Sequence, residues 1–66
     1  MFITYRNEYF KNDALISIAN INTAAYEETG KLLIWLNGDN EPIVIEGDEA
    51  KRVWTELKRY AIRKVV

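Results

Sequence analysis

Short apolar runs separated by polar turns fill the first 46 residues, a pattern typical of β-strands. Phe2–Tyr5 predicts a first strand, and Tyr9-Phe10 predicts a short extended segment after a turn. Lys11–Asp13 predicts a further turn, and Leu15–Ile21 predicts a strand that continues toward residue 26. The chain therefore begins as a series of antiparallel strands.

The apolar run Leu32–Leu36 predicts a central strand, because both of its faces are apolar. Turns precede and follow it at Glu27–Gly30 and Asn37-Gly38, where glycine adopts positive φ without steric cost. Pro42–Glu46 predicts the last strand, with Pro42 at its first position, where no N–H is needed for the sheet ladder.

At Gly47 the apolar period changes from two to between three and four, which predicts a helix from about Asp48 to about Arg63. Asp48 is a suitable N-cap, and Glu49 favours the positive end of the helix dipole. We therefore predict one α+β domain over residues 1–66, a curved antiparallel sheet of four or five strands with one C-terminal helix packed on one face. Its predicted core contains Ile3, Ile16, Ile18, Leu32, Ile34, Leu36, Ile43, Ile45, Val53, Trp54 and Leu57.

Cysteine and histidine are both absent, which excludes disulfides, thiolate or imidazole metal sites and the common Cys-His and Ser-His nucleophilic arrangements. The longest apolar run is too short to span a bilayer, and no signal-peptide pattern is present. We expect a soluble cytoplasmic protein without membrane contact. At 66 residues the domain is near the lower limit for folding alone, which favours self-association.

The acidic turn after the central strand offers oxygen ligands at Asn37, Asp39, Asn40 and Glu41. Calcium loops need regularly alternating carboxylates and a closing bidentate glutamate, and that spacing is missing. No nucleophile–base pair or cofactor loop is visible either. We therefore expect a bend, no metal, no cofactor and no enzymatic activity.

Charge is unevenly distributed along the chain. Seven acids against one lysine occupy residues 27–49, and six basic residues against one acid occupy residues 50–66. The basic helix end favours an alternative function, single-stranded nucleic-acid binding, with Tyr5 and Tyr9 of the sheet as stacking partners. The acidic turns and a pI near 5.3 oppose it. Its candidate contacts are Lys58, Arg59, Tyr60, Arg63 and Lys64.

Aromatic and apolar side chains in excess of one small core predict an interface. If the even-numbered residues of the central strand face the helix, Leu33 and Trp35 face away from it. Tyr5, Tyr9 and Phe10 are further candidate interface residues. We expect a non-enzymatic interaction module that forms a homodimer through the sheet face or edge bearing Leu33 and Trp35.

The stretch Ala14–Tyr60 resembles small bacterial proteins of the flagellar FlbD type, which follow a strand–hairpin–strand–helix layout. The matching pieces are Leu15-Ile16 and Ile21, Leu36-Asn37-Gly38, Ile43–Glu46 and the helix from Asp48. The two tryptophans and the first 13 residues depart from that pattern. The resemblance implies a small cytoplasmic accessory protein and supplies no catalytic residue.

Overall fold

The computed structural model describes the backbone of residues 1–65 and the side chains of residues 1–60. The α+β class with one C-terminal helix is confirmed. A 3-10 turn, Ile18–Asn20, separates the second strand from the third. The elements are β1 (Phe2–Asn7), β2 (Asn12–Ser17), β3 (Ile21–Tyr26), β4 (Leu32–Leu36), β5 (Ile43–Ile45) and α1 (Gly47–Val65).

The five strands form two antiparallel sheets, where the sequence predicted one. β1 pairs with β2 in a hairpin that places Ile3 opposite Ile16. In the other sheet β4 lies between β3 and β5, with Ile34 flanked by Ala24 and Ile43. The apolar run Leu32–Leu36 is therefore the central strand of the larger sheet, as its two-sided apolar character predicts.

The core lies between the two sheets and the first half of α1. Leu32, Ile34, Ala50 and Val53 are fully buried. Every other residue predicted for the core is also buried or packs against it. α1 contacts β1 and β4 most closely, so that its apolar face closes the core over both sheets.

Tyr5 corrects one interface prediction, because this side chain is only 6% exposed and belongs to the core. Successive side chains of a strand point to opposite faces, so Tyr5 shares the inward face of β1 with Ile3. It lies opposite Ala14, whose small side chain leaves room for the ring.

Two predictions about local structure are wrong. Tyr9-Phe10 is not extended but lies in the turn of the β1–β2 hairpin, where the Phe10 N–H donates to Asn7 Oδ1 at 3.1 Å. The predicted strand Leu15–Ile21 is interrupted by the 3-10 turn. That turn redirects the chain from the β1–β2 sheet into the β3–β4–β5 sheet.

The first two turns of α1 cover the outer edge of β1 with two side chains. Glu49 Oε2 accepts a hydrogen bond from the Arg6 N–H at 2.6 Å, and Arg52 Nη2 donates to the Thr4 carbonyl at 2.7 Å. Arg52 also donates to both Glu49 carboxylate oxygens, at 2.9 and 3.0 Å. This ion pair therefore occupies a strand edge that is otherwise open to pairing with another chain.

Glu49→Gln should destabilise the fold in a pH-dependent way. The hydrogen bond from Arg52, and then the N–H of Arg6, hold the pKa of Glu49 below its ordinary value of 4.5. The ionised carboxylate therefore stabilises the folded state above about pH 4.5, and this contribution is lost as pH falls further. At neutral pH we expect a loss of about 1 kcal/mol, discounted for the partial exposure of the pair.

Thermal unfolding followed by circular dichroism at pH 7 and at about pH 3 measures this effect. The variant should unfold roughly 4–8 °C below wild type at pH 7 and by a smaller margin at pH 3. Glu46→Gln, at an exposed position just before α1, is the matched control and should change little. An equal deficit of Glu49→Gln at both pH values would contradict the account.

No helix in the described part of the chain combines the length and the apolarity needed to cross a membrane.

Candidate functional site

The face of the β3–β4–β5 sheet that points away from the core carries an apolar surface. Leu33 lies at its centre, opposite Ala25 of β3 on one side and Val44 of β5 on the other. Trp35 lies two residues along the same strand, opposite Thr23. We call these five residues the outer sheet face.

This surface exists because successive side chains of β4 point to opposite faces of the sheet. Leu32 and Ile34 are fully buried, whereas Leu33 and Trp35 are half-buried and lie outside the core cluster and the residues packed against it. Val44 is 46% exposed. The structure thus brings Leu33 and Trp35 together on the side opposite the helix, and sequence reasoning missed Val44, whose cross-strand partner only the register of β4 and β5 reveals.

Tyr9 and Phe10 lie at the tip of the β1–β2 hairpin, where Tyr9 lines a cleft together with Val44 of the outer sheet face. They are 86% and 68% exposed, and their rings meet edge to face with centroids 4.9 Å apart. Lys11 closes the turn with φ of +54°, a backbone conformation that residues other than glycine rarely adopt. The tip therefore presents two aromatic rings to solvent on a tightly turned hairpin.

The outer face of the β1–β2 hairpin is a second apolar surface, of which sequence reasoning missed Leu15. Phe2 and Leu15 are 62% and 65% exposed, and both lie on the face opposite Ile3 and Ile16. Period-two alternation from those two buried isoleucines is the sequence signal that predicts this placement. The exposed apolar area of the molecule is thus spread over both sheets.

Two of the candidate nucleic-acid residues lie at a groove of about 300 Å³ between α1 and β3. Lys58 and Tyr60 line this groove together with Trp54, and Lys58 Nζ lies 5.9 Å from the Trp54 ring centroid. Arg59 instead pairs with Glu56, with Nη1 and Oε1 3.8 Å apart. Arg63 and Lys64 lie outside the residues whose side chains the structure describes.

Trp54 is held in that groove by the sheet as well as by Lys58. The Tyr26 ring stacks on it with centroids 5.9 Å apart and planes within 9° of parallel. One face of the indole is thus covered by Tyr26, which reduces the surface on which a base can stack.

The acidic turn is a bend, as predicted. Gly38 adopts φ of +86°, and the Asp39 N–H donates to the Leu36 carbonyl at 3.1 Å. Within the described residues, no three acidic side chains lie close enough together to hold a metal ion.

Comparisons with protein-family models, with curated proteins and with solved structures find no match to this chain. Its function is therefore inferred from the geometry of its surfaces.

Proposed function

We propose that this protein is a non-enzymatic protein–protein interaction module that forms a homodimer through the outer sheet face. The observation that carries the proposal is the position of Leu33 and Trp35. Both are apolar, and both point away from the core that the helix covers. Aromatic residues on an apolar surface are typical anchors of protein interfaces.

The size of the domain supports the same proposal. A single core in a domain of 66 residues rarely supplies more than about 3–5 kcal/mol of stability. Covering the outer sheet face of two copies removes further apolar area from water, at about 25 cal/mol per Å² before the cost of association. The single helix covers only one face of the central strand, and self-association would cover the other.

Single-stranded nucleic-acid binding is the alternative, and one observation favours it. Trp54, Lys58 and Tyr60 line the same groove, so that a positive charge lies beside aromatic rings. Two contacts reduce the positive charge and the aromatic surface that a nucleotide could contact here. Arg59 pairs with Glu56, and Tyr26 stacks on Trp54.

Sedimentation equilibrium of the wild-type chain over a concentration series tests the proposal. We expect the apparent mass to rise from that of the 7.7 kDa monomer to at least twice that value by high micromolar concentration. A mass that stays monomeric throughout would contradict self-association. A labelled single-stranded oligonucleotide added at low salt distinguishes the alternative, because binding through phosphates weakens steeply as salt increases.

A further inference from the structure

The two edges of the β1–β2 hairpin differ in whether side chains of α1 cover them. The outer edge of β1 is covered by Glu49 and Arg52. β2 pairs only with β1, and among the described residues no backbone hydrogen bond outside that ladder reaches Asp13, Leu15 or Ser17. A strand edge without a cover is a template for pairing with another strand.

The register fixes which backbone groups of β2 point outward. On β1 the Arg6 N–H and the Thr4 carbonyl point toward α1. The N–H and C=O groups of the even-numbered β1 residues therefore point away from β2. Arg6 lies opposite Asp13 and Thr4 lies opposite Leu15. In an antiparallel pair, two opposite residues either bond to each other or both point away from each other. The N–H and C=O groups of the odd-numbered β2 residues therefore point outward from the sheet.

We propose that this free edge is a second self-association surface, at which β2 of another copy adds antiparallel across a twofold axis at Leu15. In this register Leu15 lies opposite Leu15 of the second copy, and Asp13 lies opposite its Ser17. All three outward-facing residues of each strand are then paired. Shifting the register by two residues in either direction leaves outward-facing groups of each strand outside the ladder.

The side chains agree with this register. Leu15 is 65% exposed, so two copies meet at the axis through apolar contact. Asp13 meets a serine hydroxyl, which can donate a hydrogen bond to the carboxylate, and no like charges face each other. Joining two hairpins in this way produces a continuous four-stranded sheet whose outer face carries Phe2 and Leu15 from both copies.

This contact is separate from the outer sheet face, so the two surfaces together allow assemblies larger than a dimer. Trp35→Ser removes the anchor of the outer sheet face and leaves the β2 edge intact. Chains that carry Trp35→Ser therefore report on the edge alone. The Leu15→Lys chain, conversely, reports on the outer sheet face alone.

The proposal is tested by placing like charges, and then opposite charges, at position 15 of the two copies. In the Trp35→Ser background we expect a dimer at high micromolar concentration by sedimentation equilibrium. Adding Leu15→Lys or Leu15→Glu places two like charges at the axis and should weaken association at least tenfold. An equimolar mixture of the lysine and glutamate chains should recover the dimer, because opposite charges then meet.

Thr4→Lys is the matched control, since Thr4 lies opposite Leu15 on the same face but in β1, whose edge is covered. This variant should keep the edge dimer, and circular dichroism should show that all the variants remain folded. A Trp35→Ser chain that stays monomeric at every concentration would overturn the proposal. So would a lysine–glutamate mixture that fails to associate more tightly than its components.

Discussion

Ile34→Ala should lower the free energy of unfolding by about 3 kcal/mol, which is most of the stability expected for a domain of this size. Ile34 is fully buried at the centre of β4, between Ala24 and Ile43 of the neighbouring strands. Truncation removes apolar contacts and leaves a cavity that two flanking strands and a helix prevent from closing.

Leu33→Ala is the matched control, because it changes the adjacent residue of the same strand on the opposite, half-buried face. We expect it to cost about 1 kcal/mol or less in the monomer. Urea unfolding at low micromolar concentration, followed by circular dichroism, gives both values. Equal losses for the two variants would contradict the alternation that separates the core from the outer sheet face.

Most of the fold can be predicted from the sequence because the apolar periods are local. The run Leu32–Leu36 predicts the central strand, and the change of period at Gly47 predicts the helix to within one residue of its start. Tyr5 could have been placed in the core by the same rule, since it lies two residues from Ile3 on one strand. Its aromatic ring instead suggested an interface.

The features that could not be predicted depend on contacts between distant parts of the chain. Ile16, Ile18 and the residues around them continue the apolar alternation, so nothing local predicts the 3-10 turn between the two sheets. The bonds from α1 to the edge of β1 join residues 43 and 48 positions apart. Only the folded arrangement shows that one edge of the hairpin is covered and that the other is free.

For the candidate site, the sequence predicts the phase of Leu33 and Trp35 but not the extent of the exposed surface. The register of β4 with β5 adds Val44, and the register of β1 with β2 adds Leu15. Register is a property of the folded sheet, because a shift of one residue moves every side chain to the other face.

Trp35→Ser should weaken dimerisation through the outer sheet face by roughly 30-fold to 1,000-fold, the loss that follows when an aromatic anchor of an interface is removed. The half-buried indole lies outside the core cluster, so the substitution should leave the monomer folded. Trp35→Phe is the conservative control, and it should retain association to within about tenfold because it keeps an apolar ring at the same position.

The measurement that tests the outer sheet face most directly is sedimentation equilibrium in the Leu15→Lys background, where the β2 edge is blocked. The account predicts that the Leu15→Lys chain forms a dimer at high micromolar concentration. Adding Trp35→Ser should return it to the 7.7 kDa monomer, with the circular dichroism of a folded chain. A dimer of undiminished affinity in the chain that carries both Leu15→Lys and Trp35→Ser would contradict the central claim, and so would a Leu15→Lys chain that is already monomeric.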